Sequence, residues 1–323
     1  MFNIILYGLI ACDGHFGITQ NGSIFDTYNP EQEVQPSDAG ALDSASLDSA
    51  SEEDSEPTLN FLDRGPYEVI EESRTTHVMN CSNMSYSVYT PHGVIEPPVV
   101  VLGHGFSRGA DSMTGWAEHL SSWGVEVLLP TLCHYNVFTG VDHEMNGQNM
   151  TELAAAHGAT EVVYAGHSAG GLAAIIAASQ DVNAMGVLGL DATDTKDIPN
   201  VPDFIGRQYA GSVVSQAFSI MGEQSVCNAE NSGLELFRMM SDYQVIKVTS
   251  ADHCDFENPT DWICESQCEN STAEFTDAEI RSIITTLGTA AVMSLTGLSG
   301  DGNIVWTEGL EEWKTTGIIQ EVE

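Results

Sequence analysis

The chain has 323 residues, enough for one α/β domain of ordinary size and an additional segment. Its 47 acidic residues against 9 lysines and arginines give a formal net charge of −38. Such a surface repels phosphate, so the composition argues against nucleic acid and anionic membranes as partners. No stretch reaches the roughly 18 uninterrupted apolar residues of a membrane-spanning helix.

The first 12 residues resemble an export signal. Residues 1–11 are apolar, and residues 9–12 resemble the lipobox of bacterial lipoproteins, in which the cysteine is lipidated after the preceding segment is cleaved. No Lys or Arg precedes this short run, so an ordinary N-terminal strand is the alternative. We expect an exported protein (a cell-surface lipoprotein, a periplasmic protein or a secreted one) with Cys12 as its lipid anchor.

Residues 13–64 are predicted to form an acidic, low-complexity tether. The segment repeats Leu-Asp-Ser-Ala-Ser at 42–46 and 47–51 and then becomes strongly acidic. Such a composition cannot bury enough apolar surface to offset the entropy of ordering. A solvated tail without a role is the alternative. The catalytic domain is predicted at 65–323.

Within that domain, predicted strands alternate with predicted helices, which indicates a mostly parallel sheet covered on both faces. In chain order, the elements are antiparallel strands at 67–70 and 86–90, a strand at 99–102, a helix through 116–123, a strand at 125–129, a helix at 150–156, a strand at 162–165, a helix at 172–178, strands at 185–190 and 244–249, and a long helix from about 277.

The strand and helix at 162–178 enclose the pattern that predicts chemistry. Residues 166–170 between them fit G-x-S-x-G, the nucleophile elbow, with Ser168 at its centre. The turn is sharp, so the positions two before and two after the serine must be nearly free of side chain. We predict Ser168 as a nucleophile; a glycine-rich connection without chemistry is the alternative.

A serine nucleophile needs a base that takes its proton. In folds with this elbow the chain order is serine, acid, histidine. Of the ten histidines only His253 follows Ser168, just after the predicted strand at 244–249. His253 is therefore the predicted base, and a histidine on a surface loop is the alternative.

Two carboxylates at predicted strand ends are candidates for the acid. Asp191 ends the strand at 185–190, so it emerges at the same sheet edge as the serine, and Glu223 follows a further strand, where many such enzymes carry their acid. Either could fix the histidine tautomer and stabilise its cation. Asp191 is favoured, Glu223 is the alternative acid, and Asp194 and Asp252 are less favoured.

The oxyanion that forms during acyl transfer needs backbone donors. The N–H of Ala169, directly after the nucleophile, is one candidate. The second is the N–H of Phe106 in a His-Gly-Phe loop after the strand at 99–102, a reduced form of the HGGG-type loop. His104 and His167 are predicted to be structural.

These motifs resemble the α/β-hydrolase superfamily, and they are similar to its chlorophyllase-like and cutinase-like polyester-hydrolase branch. The resemblance implies an α/β-hydrolase fold, with a mostly parallel central sheet flanked by helices on both faces. In chlorophyllases the acid is the aspartate of a similar Gly-x-Asp segment, which favours Asp191. The resemblance extends over roughly 67–298, and its motifs lie at 99–108, 166–171, 189–191 and 252–256.

Lipidation of Cys12 would leave six of the seven cysteines. An even number in an exported chain predicts disulfides. Cys254 adjoins the predicted base and Cys264 and Cys268 follow closely, so a bridge that braces the histidine loop is expected. A zinc site formed by these three cysteines and Cys227 is the alternative.

The sequence thus predicts a serine carboxylic-ester hydrolase with an acyl-enzyme intermediate, acting on a hydrophobic ester or a polyester. We expect neither a cofactor nor a metal. Two alternatives stay open: an inactive α/β-hydrolase-fold protein that binds ligands at a surface, and a thioesterase or peptidase on the same scaffold.

Overall fold

The computed structural model describes residues 60–136, 140–198, 201–268 and 274–322. The predicted lipobox with Cys12 and almost all of the predicted tether lie outside the described residues. Phe61 is fully buried, and its ring centroid lies 5.0 Å from that of Trp123. The packed part of the chain therefore includes residues just before the predicted boundary at 65.

The described residues contain eleven strands and eight α-helices. The strands are β1 Val69–Val78, β2 Cys81–Pro91, β3 Val99–Gly103, β4 Glu126–Pro130, β5 Tyr135–Asn136, β6 Gly140–Val141, β7 Val162–His167, β8 Ala184–Leu190, β9 Gln216–Met221, β10 Tyr243–Val248 and β11 Ile319–Glu321. The helices are α1 Thr114–Ser122, α2 His143–His157, α3 Ala169–Gln180, α4 Leu234–Phe237, α5 Trp262–Cys268, α6 Asp277–Thr296, α7 Asp301–Thr307 and α8 Leu310–Thr316. Across these described segments, none of the helices has both the length and the apolar content to cross a membrane.

Nine of these strands form one mixed sheet in the order β1-β2-β4-β3-β7-β8-β9-β10-β11. Within this sheet, β4, β3, β7, β8, β9 and β10 each run parallel to their neighbour in this series. The pairs β1/β2, β2/β4 and β10/β11 are antiparallel. The predicted parallel arrangement therefore holds for the centre of the sheet, whereas both edges are antiparallel.

Helices cover the sheet on both faces, and each face has its own apolar core. In β3, Val100 and Leu102 pack on the face that carries α1 and α6, while Val99 and Val101 pack on the face of α2 and α3. A strand that is buried on both sides needs apolar residues at every position, which explains the continuous apolar run of β3.

The parallel strands end at one edge of the sheet, and this edge carries the predicted site residues. Ser168 follows β7, Asp191 follows β8, Glu223 lies just after β9 and His253 lies after β10. Because β7 to β10 are adjacent and parallel, their carboxyl ends lie side by side. The topology therefore gathers residues that are distant in sequence.

Candidate active site

Ser168 connects β7 to α3 in a backbone conformation that side-chain-bearing residues rarely adopt, with φ 54° and ψ −123°. A Cβ at Gly166 would lie 2.4 Å from the carbonyl of Gly170, and a Cβ at Gly170 would lie 2.5 Å from the carbonyl of Gly103. Glycine is therefore required on both sides of the serine. The predicted strand–turn–helix is present, and Ser168 is placed at its turn.

His253 and Asp191 share a short buried hydrogen bond. His253 Nδ1–H donates to Asp191 Oδ2 over 2.6 Å, and both side chains are buried. A carboxylate oxygen accepts, so the Nδ1 atom carries the proton. The Nε2 atom of His253 is then the one that can take up a proton from another group.

Asp191 is held by further donors besides the histidine. The Gly222 N–H donates to Oδ1 over 3.1 Å. The Asn228 amide Nδ2 lies 3.4 Å from Oδ1 and 3.2 Å from Oδ2. Asp191 has no exposed surface, so these bonds replace the water that a carboxylate would otherwise bind.

Glu223 has different partners. Lys247 Nζ donates to its Oε2 over 2.8 Å, and the Ser250 N–H donates to its Oε1 over 3.2 Å. This carboxylate therefore neutralises a lysine and anchors the start of the loop that leads to His253. Of the two candidate acids, only Asp191 makes a hydrogen bond with the histidine in the described part of the chain.

The two less favoured aspartates also have structural partners. Asp194 accepts hydrogen bonds from the N–H groups of Thr195 and Gly206, and burial raises its pKa. Asp252 caps the short helix that begins at His253, accepting from the Cys254 N–H over 2.7 Å. Burial and then the nearby negative charge of Asp255 raise the pKa of Asp252 to about 6.

The predicted oxyanion donors lie next to the serine. Ala169 is the first residue of α3, so its N–H has no acceptor within the helix. Phe106 lines the same pocket as Ser168, and its N–H makes no hydrogen bond to any described residue. The neighbouring Gly105 is so close that an added Cβ would lie 3.3 Å from the Cβ of Ser168.

His104 is buried beneath this loop, where it holds backbone groups. Its Nδ1–H donates to the Gly105 carbonyl over 2.9 Å, and its Nε2 accepts from the Leu132 N–H over 3.0 Å. Burial lowers the pKa of His104 to about 4. A neutral ring with both nitrogens bound to backbone fits the structural role predicted for it.

His167 supports the loop of His253. Its Nε2–H donates to the backbone carbonyl of His253 over 2.9 Å, and the two ring centroids are 4.5 Å apart. Complete burial, and then the neighbouring charge of His253, hold the pKa of His167 well below its ordinary value. Its Nδ1 has no hydrogen-bond partner among the described residues and lies 3.7 Å from Glu257 Oε1.

A partly buried ion pair lies beside these histidines, and the sequence motifs assigned it no role. Arg108 Nε and Nη2 donate to the two carboxylate oxygens of Glu257, each over 2.7 Å. Asp261 adds a second carboxylate 3.1 Å from Arg108 Nη2. This bidentate pairing links the loop after β3 to the segment after His253.

A pocket of about 380 Å³ opens at this edge of the sheet, and Ser168 and His253 both line it. Part of the wall is apolar and consists of Phe106, Val226 and Ile263. The charged groups of the lining are Arg108 and Glu257, which neutralise each other. The pocket therefore offers an apolar, largely uncharged surface next to the serine.

Three disulfides confirm the expected bridging. Cys81 pairs with Cys133, Cys227 with Cys268 and Cys254 with Cys264, and the Cα atoms are 6.1, 5.6 and 5.8 Å apart. The last two bridges meet at α5 and border the pocket. The sulfurs of Cys254, Cys264 and Cys268 lie within 4.8 Å of one another, but each belongs to a disulfide, so the four cysteines of the zinc alternative are paired in this structure.

Comparison with known proteins finds no protein-family model and no curated protein that matches this chain. The site must therefore be understood from its own geometry. The fold brings Ser168, His253 and Asp191 to one sheet edge, with Phe106 and Ala169 beside them, whereas Glu223 at the same edge binds Lys247.

Residues that the sequence reasoning missed are Asn228 and the Arg108–Glu257 pair. Asn228 is fully buried and contacts Asp191 from a loop after β9. An asparagine beside a cysteine was the only signal for Asn228 in the sequence, and that pattern has no specific meaning without the fold.

Proposed function

We propose that this protein is a serine hydrolase of carboxylic esters with an α/β-hydrolase fold. The observation that carries the proposal is the 2.6 Å hydrogen bond between His253 and Asp191 at the sheet edge where Ser168 occupies its strained turn. Nucleophile, acid and base follow the parallel strands β7, β8 and β10 of one sheet, in the chain order serine, acid, histidine. The mixed sheet with helices on both faces supports the same fold.

In the acylation step, Ser168 Oγ attacks the carbonyl carbon of the ester while His253 Nε2 takes its proton. The negative charge that develops on the carbonyl oxygen is stabilised by the N–H groups of Ala169 and Phe106. Asp191 stabilises the imidazolium of His253 and keeps its Nδ1 protonated. Collapse of the intermediate expels the alcohol, which receives the proton from His253.

In the deacylation step, a water molecule replaces the alcohol. His253 removes a proton from that water, which attacks the carbonyl carbon of the acyl-enzyme, and the same two N–H groups hold the second oxyanion. The carboxylic acid leaves as the proton returns to Ser168 Oγ. Each cycle therefore consumes one ester and one water and regenerates the free serine.

The pocket supports an uncharged, apolar ester as the substrate class. Phe106, Val226 and Ile263 offer apolar contacts, and Arg108 and Glu257 are already paired. A substrate carboxylate or ammonium would gain no free counter-ion from this pair. The resemblance to chlorophyllase-like and polyester hydrolases adds esters of large hydrophobic alcohols and polyesters as candidates.

Export is part of the proposal. Three disulfides support folding in an oxidising compartment, because such bonds persist there and are rare in the cytosol. The lipid anchor at Cys12 stays a prediction, since that residue lies outside the described part of the chain.

The test is a panel of p-nitrophenyl esters of increasing acyl length, measured beside a matched thioester and a peptide anilide. We expect the esters to be hydrolysed fastest, and Ser168→Ala to remove several orders of magnitude of the rate. Ser179→Ala, the same change at the other end of α3, is the control and should keep the wild-type rate. A faster thioester or anilide would redirect the proposal to those classes, and an inert wild type would favour a binding protein.

A further inference from the structure

Asn228 has no exposed surface and saturates its amide with hydrogen bonds on both sides. Its Nδ2 donates to Asp191 and, over 2.8 Å, to the backbone carbonyl of Glu223. Its Oδ1 accepts from the N–H groups of Ser225 and Asn231, over 2.9 and 3.1 Å. A flipped amide would face acceptors with its oxygen and donors with its nitrogen, so these partners fix its orientation.

The loop that carries Asn228 is also tied covalently to the segment that follows His253. The neighbouring Cys227 is bridged to Cys268 at the end of α5. Cys264 of the same helix is bridged to Cys254, the residue after His253. Two disulfides therefore connect the loop of Asn228, through α5, to the segment that carries His253.

We propose that Asn228 is a positioning residue that acts through Asp191, an inference that rests on the proposed triad. Its Nδ2 spreads across both oxygens of the carboxylate, at 3.4 and 3.2 Å, and thereby sets the direction in which Oδ2 meets His253. The bond also stabilises the negative charge on Asp191, which must face the imidazolium in each catalytic step.

Because of the same geometry, a carboxylate at position 228 could also stabilise the imidazolium of His253. The Asn228 Nδ2 lies 3.2 Å from the Asp191 oxygen that is itself 2.6 Å from His253 Nδ1. An exchange of the two side chains, Asp191→Asn with Asn228→Asp, keeps one carboxylate and one amide in the pair. The amide oxygen at 191 can still accept from the histidine while the charge lies one hydrogen bond further away.

Asn228→Asp tests the contact with Asp191 while it keeps the two loop hydrogen bonds that the side-chain oxygen accepts. The new carboxylate retains an oxygen for the Ser225 and Asn231 N–H groups, so the loop keeps those bonds. It loses the donor to Asp191 and the donor to the Glu223 carbonyl, and it places two carboxylates against each other. We expect kcat for a neutral ester to fall about 10- to 100-fold with little change in KM, the effect of losing a hydrogen bond to a charged group.

A pH profile provides a readout that a purely structural role would not move. An added carboxylate near His253 favours the imidazolium, so the acid limb of kcat/KM should move to higher pH in Asn228→Asp. The other charged groups around the pair stay unchanged: Glu257 with Arg108, Glu223 with Lys247, Asp255 with Arg281, and Asp252, which accepts from the Cys254 N–H. Asn146→Asp is the matched control, because among the described residues its buried amide bonds only to the backbone of His134 and the acid limb should not move.

The exchange variant decides the inference even if Asn228→Asp does not fold, because it contains a single carboxylate in the pair. We expect it to hydrolyse esters about tenfold or more faster than Asp191→Asn alone. No recovery over Asp191→Asn, or a wild-type rate and acid limb in Asn228→Asp, would overturn the positioning role while leaving the esterase proposal intact. A wild type without hydrolysis and without covalent reaction at Ser168 would instead overturn the proposed function and this inference with it.

Discussion

The ends of β8 and β9 present the same chemical group in two environments. After β8, Asp191 faces a histidine, a backbone N–H and an amide, with no lysine or arginine bonded to it among the described residues. After β9, Glu223 binds Lys247, and this pair is partly exposed, with side chains 23 and 25 % accessible. Both carboxylates leave a parallel strand at the same sheet edge.

This comparison shows that the end of a strand determines where a carboxylate lies but not which groups it binds. Glu223 already has a cation, so its charge is neutralised without the histidine. Asp191 has donors that orient it and no bonded cation in the described structure, so its charge is available to His253. In the proposed triad, the hydrogen-bond partners of a carboxylate, rather than the strand that carries it, therefore select the acid.

The largest expected effect tests this choice directly. Asp191→Asn should lower kcat for a short-chain ester by about 10³–10⁴-fold, as expected for a triad carboxylate. Glu223→Gln, an equally conservative change, should lower kcat by less than about threefold, because it disturbs only a loop contact. Steady-state kinetics with p-nitrophenyl butyrate provides both values. The reverse ranking would move the acid to the end of β9.

The bridges beside the Asp191 site offer the next comparison. Replacing Cys227 and Cys268 by serine, or Cys81 and Cys133 by serine, should each lower the free energy of unfolding by about 2–5 kcal/mol. Only the first pair should also lower kcat, by about 10- to 100-fold, because it lets the groups around the triad shift. Urea unfolding and ester kinetics on both variants measure this. An unchanged kcat without the Cys227–Cys268 bridge would show that this bridge does not act on the site.

Strong local patterns made much of this region predictable. The apolar runs of β3, β7 and β8 and the glycines around Ser168 indicate their structures without the fold. The start of α2 was missed, because Asp142 caps the helix by accepting from the Met145 N–H and thereby extends it to His143, well before the predicted start at 150. A prediction of the helix start from the spacing of apolar residues does not take such a capping residue into account.

The partners of the site could not be predicted in the same way. The choice between Asp191 and Glu223 depends on Lys247 and Asn228, which are distant from Asp191 in sequence and meet the two carboxylates only in the folded sheet. The antiparallel strand β11 and the Cys227–Cys268 bridge are likewise long-range pairings. Nothing in local composition specifies them.

The fold loses stability at low pH, so variants at Asp191 and Glu223 can be compared only above that range. Burial lowers the pKa of His104 and of His143 to about 4 and holds that of His167 well below its usual value. The unfolded chain binds protons near pH 6.5 that the folded chain does not, so stability is lost as the pH falls from 6.5 toward 4. Asp252, with its pKa raised to about 6, acts in the opposite sense and loses its contribution as the pH rises.

Burial also raises the pKa of Asp194, Asp255 and Glu257, which act in the same sense as Asp252. We expect the free energy of unfolding to fall by about 1 kcal/mol per pH unit for each fully buried histidine below pH 6.5, partly offset by these four carboxyl groups. Urea unfolding at pH 7.5, 6.0 and 5.0 measures the slope. A stability that stays constant or increases over this range would show that these rings are protonated in the fold.

The smallest effect concerns the lysine that sets Glu223 apart. Lys247→Met should lower the free energy of unfolding by about 0.2–1 kcal/mol, the usual value for a partly exposed ion pair. It should leave kcat/KM for a neutral ester unchanged, since Glu223 takes no part in the reaction. Thermal unfolding and ester kinetics check both. A large loss of activity would assign Lys247 and Glu223 a role in the site that the geometry does not support.

Covalent labelling tests the central claim, that Ser168 is a nucleophile activated by His253 and Asp191. Wild-type protein is incubated with a fluorophosphonate, digested and analysed by mass spectrometry, beside Ser168→Ala, Asp191→Asn and Glu223→Gln. We predict one adduct per chain, at Ser168, formed at the same rate in Glu223→Gln, far more slowly in Asp191→Asn and absent from Ser168→Ala. An adduct at another residue, or an unreactive Ser168 in folded wild-type protein, would contradict the account.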